Sequence, residues 1–215
     1  MTAGRSPLRA LLLAVIAVGL LLIGGGAAVV LGLGRGDPVP TADSVAAGFA
    51  RDMSRHHLQG VEMANLALDR STDPEVRQLA FDIAETQQNQ VGRMQGWLAL
   101  WGLPPTGGEV MAWLGSGGGH AGHAMTAGGP MPGMATEGEL ARLRSLSGTE
   151  FDVEFLRLMT RHHQGGREMA EYAAGHAPLP AVAGLAGTIA ETQAAEATTM
   201  ERMLTARGGT PLPAP

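Results

Sequence analysis

The sequence contains no cysteine among its 215 residues. Disulfides, thiolate zinc sites, iron–sulfur clusters and cysteine nucleophiles are therefore excluded. Lysine is also missing: all 15 cationic side chains are arginine. No basic run occurs, and beyond residue 35 the chain carries 12 Arg against 20 acids. A phosphate backbone is bound by a cationic surface, so nucleic acid is excluded as a partner. Aromatic residues make up only 4%, whereas there are 12 Met and 7 His. That bias toward thioether and imidazole side chains is the first functional signal. The length suits one ordinary domain with an appendage.

Residues 1–9 carry Arg5 and Arg9, and residues 10–33 carry no charge. Such a run is long enough to span a hydrocarbon core of ~30 Å as a helix. Residues 10–33 are therefore expected to be a transmembrane anchor. The arginines place residues 1–9 in the cytoplasm. The alternative is a cleaved signal segment, whose apolar core is usually only ~7–15 residues. Small residues at Gly24–Ala28 suit cleavage. Either way the remainder is expected outside the cytoplasm, held at the cell membrane by a single pass or secreted. Residues 34–43 read as a Gly/Pro linker.

An offset of 106 residues superimposes the soluble part on itself. Phe49, Arg51, Met53, Arg55, His56, His57, Gly60, Glu62, Met63 and Ala64 recur as Phe155, Arg157, Met159, Arg161, His162, His163, Gly166, Glu168, Met169 and Ala170. The register continues without a gap. Pro74 meets Pro180, Ile83-Ala-Glu-Thr-Gln87 meets Ile189-Ala-Glu-Thr-Gln193, and Met94 meets Met200. The unit is thus duplicated.

Each unit reads as two helices. Asp43 or Ser44 caps the first, which runs to about Arg70. Asp73-Pro74-Glu75 opens the second, which ends before Gly102. Thr136 and Glu139 form a capping box for a short helix reaching about Leu146. Ser147-Gly-Thr-Glu150 opens the third long helix, which ends near Gly175. The fourth runs from about Pro180 to Gly208. The fold class is all-α: a four-helix bundle over 44–207 from two helical hairpins, preceded by the N-terminal helix. The first repeat covers 44–102, a loop 103–135, the second repeat 148–207 and a tail 208–215.

Helical periodicity then sorts the polar residues. Phe49, Met53, His56, Gly60, Met63 and Ala67 fall on one core-facing stripe, and their counterparts repeat it. His57 and His163 lie about 100° further round, on its edge. Glu62 and Glu168 fall nearly opposite and are expected to be solvated. The second and fourth helices turn Gln87, Gln90, Gln193 and Glu196 inward. Buried unpaired, such groups cost roughly 1–3 kcal/mol each, so they need one another, water or a metal. Gly60 and Gly166 are expected to allow close helix approach beside the histidines.

A doubled His-His pair flanked by methionines suits copper, with Cu(I) favouring sulfur. The candidate ligands are His56, His57, His162, His163, Met53, Met63, Met159, Met169 and Glu196. A hydrogen-bonded structural layer is the alternative for the histidines, and plain core for the methionines. Di-iron sites fit less well, because no Glu-x-x-His occurs. The loop 103–135 is mostly Gly, Ala, Met and Pro and reads as mobile. Its His120, His123 and Met125 form a second candidate copper site.

The doubled Met-x-x-His-His-x-x-Gly-x-x-Met-Ala resembles the DUF305 family, which includes periplasmic copper-binding, CopM-like proteins. The similarity continues through Met94-Gln-Gly-Trp-Leu98, Met131-Pro-Gly-Met134 and Gly148-Thr-Glu-Phe-Asp152, and spans about Phe49 to Leu204. It implies a ferritin-like four-helix bundle, secreted or membrane-anchored. It also implies copper binding through Met53, His56, His57, Met63 and their repeats. Gln90 departs from the acid frequent at that position in the family, whereas Glu196 keeps it. The expected function is extracytoplasmic copper binding or sequestration without turnover. A ferritin-like metal oxidase and a metal-free structural or interaction module are the alternatives. The expected partners are a metal ion and the membrane, with homo-oligomerisation possible and no protein partner identified.

Overall fold

A computed structural model describes residues 7–30, 39–115 and 131–215. They fall into two compact units that divide between Val39 and Pro40. The first unit is built on α1 (Pro7–Val30). Apolar side chains cover this helix on every side, and Leu11, Ile16, Leu20 and Ile23 are all more than half exposed. A membrane crossing was expected here. Among the described residues no helix is long and apolar enough to cross a membrane. The apolar helix is thus observed, and the crossing is not.

The second unit holds α2 (Val45–Arg70), α3 (Pro74–Leu100), α4 (Glu137–Ser145), α5 (Gly148–His176) and α6 (Pro180–Ala206). No strand occurs among the described residues. Local chemistry sets the helix starts. Ser44 accepts from the Ala47 N–H, and Asp73 accepts from Glu75 and Val76 ahead of Pro74. Thr136 and Glu139 complete the expected capping box. The second repeat starts its helices without side-chain caps at Ser147 and Leu179. There Pro180 supplies a preset φ at the first turn.

α2 pairs with α3, α5 with α6, and the two hairpins meet along α2 and α5. α2 and α5 run antiparallel. Phe49 and Met53 share one apolar cluster with Met169 and Ala173, while Met63 and Ala67 share a second with Phe155 and Met159. The duplication thus produces a pseudo-twofold bundle with an apolar cluster toward each end. Between the clusters lies a layer of buried His and Gln.

The described ends of the segment 103–135 are not the solvated loop expected from composition. Met111 and Trp113 are buried because Asp52 takes both of their N–H groups, Met111 N at 2.7 Å and Trp113 Nε1 at 2.8 Å. Gly48 makes room for the indole: a Cβ there would lie 2.4 Å from the ring. At the other end Met131, Gly133 and Ala135 are buried. Gln59 exchanges two hydrogen bonds with the Ala135 backbone, at 2.9 and 2.7 Å. Composition registered the Gly and Ala content but not these anchors.

Candidate metal centre

α2 and α5 each carry two adjacent histidines into the mid-layer, and all four side chains are fully buried. His56 and His162 stack across the hairpin interface with ring centroids 3.8 Å apart. His57 lies 6.4 Å from His56, and His163 lies 6.1 Å from His162. The edge positions expected for His57 and His163 are thus interior ones. Gln90 on α3 and Glu196 on α6 close over them, with Nε2 to oxygen distances of 2.7 and 2.6 Å.

Every histidine Nε2 in the layer has an oxygen partner. His56 Nε2 meets the Pro132 carbonyl at 3.1 Å, and His162 Nε2 meets the His56 carbonyl at 3.0 Å. Every Nδ1 lacks a partner. Burial, the largest cause, pushes His56 down to about 4 and His57 to about 3. It also takes His162 well below its usual value, aided by the neighbouring imidazoles. Imidazolium would be poorly solvated here, so His56, His57 and His162 are neutral at pH 7. Neutral imidazole is the form that ligates metals.

Gln87 and Gln193 complete the layer. Both are buried, and neither amide atom of either residue has a partner. They fill the notches opened by the two glycines. A Cβ on Gly60 would lie 2.2 Å from Gln87 Oε1 and 3.1 Å from His162 Cε1. On Gly166 it would lie 2.7 Å from Gln193 Oε1 and 2.9 Å from His56 Cε1. The expected close approach beside the histidines is therefore present at both glycines.

The methionines divide between the two apolar clusters. Met53, Met169 and Met94 sit in one, and Met63, Met159 and Met200 in the other. Helical spacing placed them on the histidine stripe, and the antiparallel crossing of α2 and α5 separates them into pairs above and below it. Among the described residues no group of three or more His, Asp or Glu is poised to hold a metal ion. The layer offers imidazoles without a preformed chelate. Glu196 is partly exposed and faces His163. Glu62 pairs with Arg144, and Glu168 is exposed, as their helical phase required. The second candidate site, His120, His123 and Met125, lies outside the described residues.

Sequence reasoning missed the segment Met131–Ala135. It reaches the layer because residue 165 is glycine where the first repeat has Gln59. A Cβ at Gly165 would lie 2.2 Å from the Pro132 oxygen. That break in the duplication was the available signal.

Comparison with known proteins places this geometry. The model of the family described as a domain of unknown function (DUF305) matches residues 46–204. A DUF305 structure from Streptomyces coelicolor is 43% identical, covering 80% of this chain and 99% of that one, with a TM-score of 0.72. A DUF305 fragment from Deinococcus radiodurans is 34% identical over 79% and 99%, with a TM-score of 0.64. CopM in its Cu(II)-bound form is 27% identical over 76% and 97%, with a TM-score of 0.59. No curated protein matches the chain.

Proposed function

From the premise that the chain belongs to the DUF305 family, we propose that its helical bundle is an extracytoplasmic copper-binding protein. The carrying observation is the set of four buried histidines with unpartnered Nδ1 atoms. Neutral imidazole with thioether nearby suits copper, and Cu(I) above all. CopM, related in sequence and fold, was crystallised with Cu(II) and with Cu(I). In this reading His56, His57, His162 and His163 are the primary ligands. Met53, Met63, Met159 and Met169 border the layer and take up the softer ion. His120, His123 and Met125 form a second copper site in this reading. The role is buffering, sequestration or delivery, with no turnover.

The apolar sides of α1 support an anchor in the cell membrane, N-terminus inside. If the segment is cleaved, the bundle is secreted. Extraction of native membranes with carbonate tests this: an anchored chain stays with the lipid, and a secreted one is released.

A metal-free structural layer is the second reading. The four hydrogen bonds at Nε2 favour it, and the four unpartnered Nδ1 atoms oppose it. Competition of the detergent-solubilised full chain against a chromophoric Cu(I) chelator decides between them. Copper binding tighter than about micromolar is expected, lost when the four layer histidines become Ala. Binding that survives those changes and vanishes with His120, His123 and Met125 would move the site to the loop. No binding of either oxidation state would leave the structural reading.

A further inference from the structure

We infer that a cavity beside α2, away from the histidine layer, binds a small dicarboxylate through Arg51 and Arg55. The cavity has a volume of about 330 Å³ and is walled by α2, by α3 at Gln95 and by residues 105–110. That is the lower end of the size range of small-molecule sites. Arg51 and Arg55 both line it, one helical turn apart on the same face of α2. Leu58 and Val110 supply apolar wall, which gives the half-exposed Leu58 a role. Asp52 is the one acid in the lining among the described residues, and its Oδ2 is already taken by the Met111 and Trp113 N–H groups.

The duplication shows what these two arginine positions hold. Their equivalents in the second repeat are Arg157 and Arg161. Arg157 pairs with Glu154 at 3.1 Å, and Arg161 grips both oxygens of Glu139 at 2.8 and 2.7 Å. Each of those arginines thus has its own carboxylate. In the first repeat neither Arg51 nor Arg55 has an ion-pair partner among the described residues. Gly48 stands where the second repeat has Glu154, and the Trp113 indole fills that space. Gln95 stands where it has Glu201, so the cavity wall is neutral there as well. The first repeat keeps the cations and lacks the acids around them.

Arg51 is also held in place. Its Nη1 donates to the Gly107 carbonyl at 3.2 Å and its Nη2 to the Ala42 carbonyl. These neutral acceptors fix the guanidinium and leave its charge uncompensated. Its Nε–H is buried with no acceptor. A guanidinium carries five N–H donors in a planar fork that matches a carboxylate, so donors remain for a ligand. Arg55 is exposed and supplies the second cation. Like charges one turn apart repel, and an anion between them relieves both. With one carboxylate for each arginine, as in the second repeat, the ligand is a dicarboxylate.

The test is calorimetric titration of the metal-free, detergent-solubilised full chain with succinate and glutarate, and with acetate as the single-carboxylate probe. Saturable binding of a dicarboxylate tighter than about 1 mM is expected, with acetate about tenfold weaker or more. Arg55→Gln removes a cation at an exposed position, and Gln95→Glu restores the acid of the second repeat. Each is expected to weaken binding about tenfold or more while the helical circular dichroism is kept. No saturable binding of either dicarboxylate overturns the inference. Acetate binding as tightly as the dicarboxylates does the same, as does binding that either folded variant leaves unchanged. Asp37 is the one acid of the sequence outside the described residues. Binding that appears only after Asp37→Asn would make the chain's own linker the occupant and overturn a free ligand.

Discussion

His56 and His162 lie ring against ring, centroids 3.8 Å apart and planes 32° from parallel, at the point where the two hairpins meet. Each is the other's counterpart in the duplication. Two neutral imidazoles accept such contact, whereas two imidazolium ions in a buried layer repel each other and lack solvation. The fold is therefore tied to the uncharged form of these rings.

Acid should destabilise the bundle early. The unfolded chain titrates these histidines near 6.5. The folded chain holds His56 at about 4 and His57 at about 3, and His162 is also lowered. Between those values the unfolded state binds more protons. Stability is thus full above about pH 7 and falls as pH drops, by up to roughly 1.4 kcal/mol per pH unit for each histidine. Glu139, held down to about 2 by Arg161, pulls the same way at lower pH. Urea unfolding at about pH 7.5 and about pH 5 reads this directly. An unchanged midpoint would contradict the neutral layer.

Removing polarity from the layer should stabilise the metal-free protein. Gln87 and Gln193 are buried with both amide atoms unpartnered. Gln87→Met and Gln193→Met keep the side-chain length and remove the orphaned groups. A gain of about 1–3 kcal/mol per position is expected in thermal melts with a chelator present. A loss would show that the amides have partners in solution.

Gly165→Ala should detach Met131–Ala135. The new Cβ would lie 2.2 Å from the Pro132 oxygen and 2.7 Å from the Gly133 nitrogen, which are backbone atoms with no rotamer to yield. A loss of about 1–3 kcal/mol and faster proteolysis within 131–135 are expected. Gly175→Ala is the control: its Cβ meets nothing within 4 Å.

Asp52→Ala should free the segment around Trp113. The Asp52 carboxylate is the acceptor for two buried donors, Met111 N and Trp113 Nε1. Leaving both unpaired costs about 1–3 kcal/mol each. In a background with Trp97 and Trp101 changed to Phe, Trp113 emission should shift to the red. Unmoved emission would show that packing against Phe49 and Tyr172 suffices to hold the indole.

Much of the fold was legible. Capping at Ser44, Asp73 and Thr136, the first-turn prolines and the three- and four-residue spacings are local signals. They act within one or two helical turns, so a single sequence displays them. The burial of His56, Gln87 and Gln193 was legible for the same reason. The burial of His57 and His163 was not. Their cover comes from Gln90 and Glu196, thirty-three residues away and on another helix. Nor was the seating of Met111, Trp113 and Pro132, which depends on Asp52, Gly48 and Gly165 meeting segments remote in the chain.

The sequence by itself determined the helices, their duplication and the identity of the groups that turn inward, since periodicity and capping are properties of adjacent turns. Only the tertiary structure decided how those groups meet. The antiparallel crossing of α2 and α5 stacks two histidines, separates the methionines into the clusters on either side, and admits the Pro132 carbonyl beside Gly165. It does so because contact between helices depends on register and crossing geometry, which no helix encodes alone.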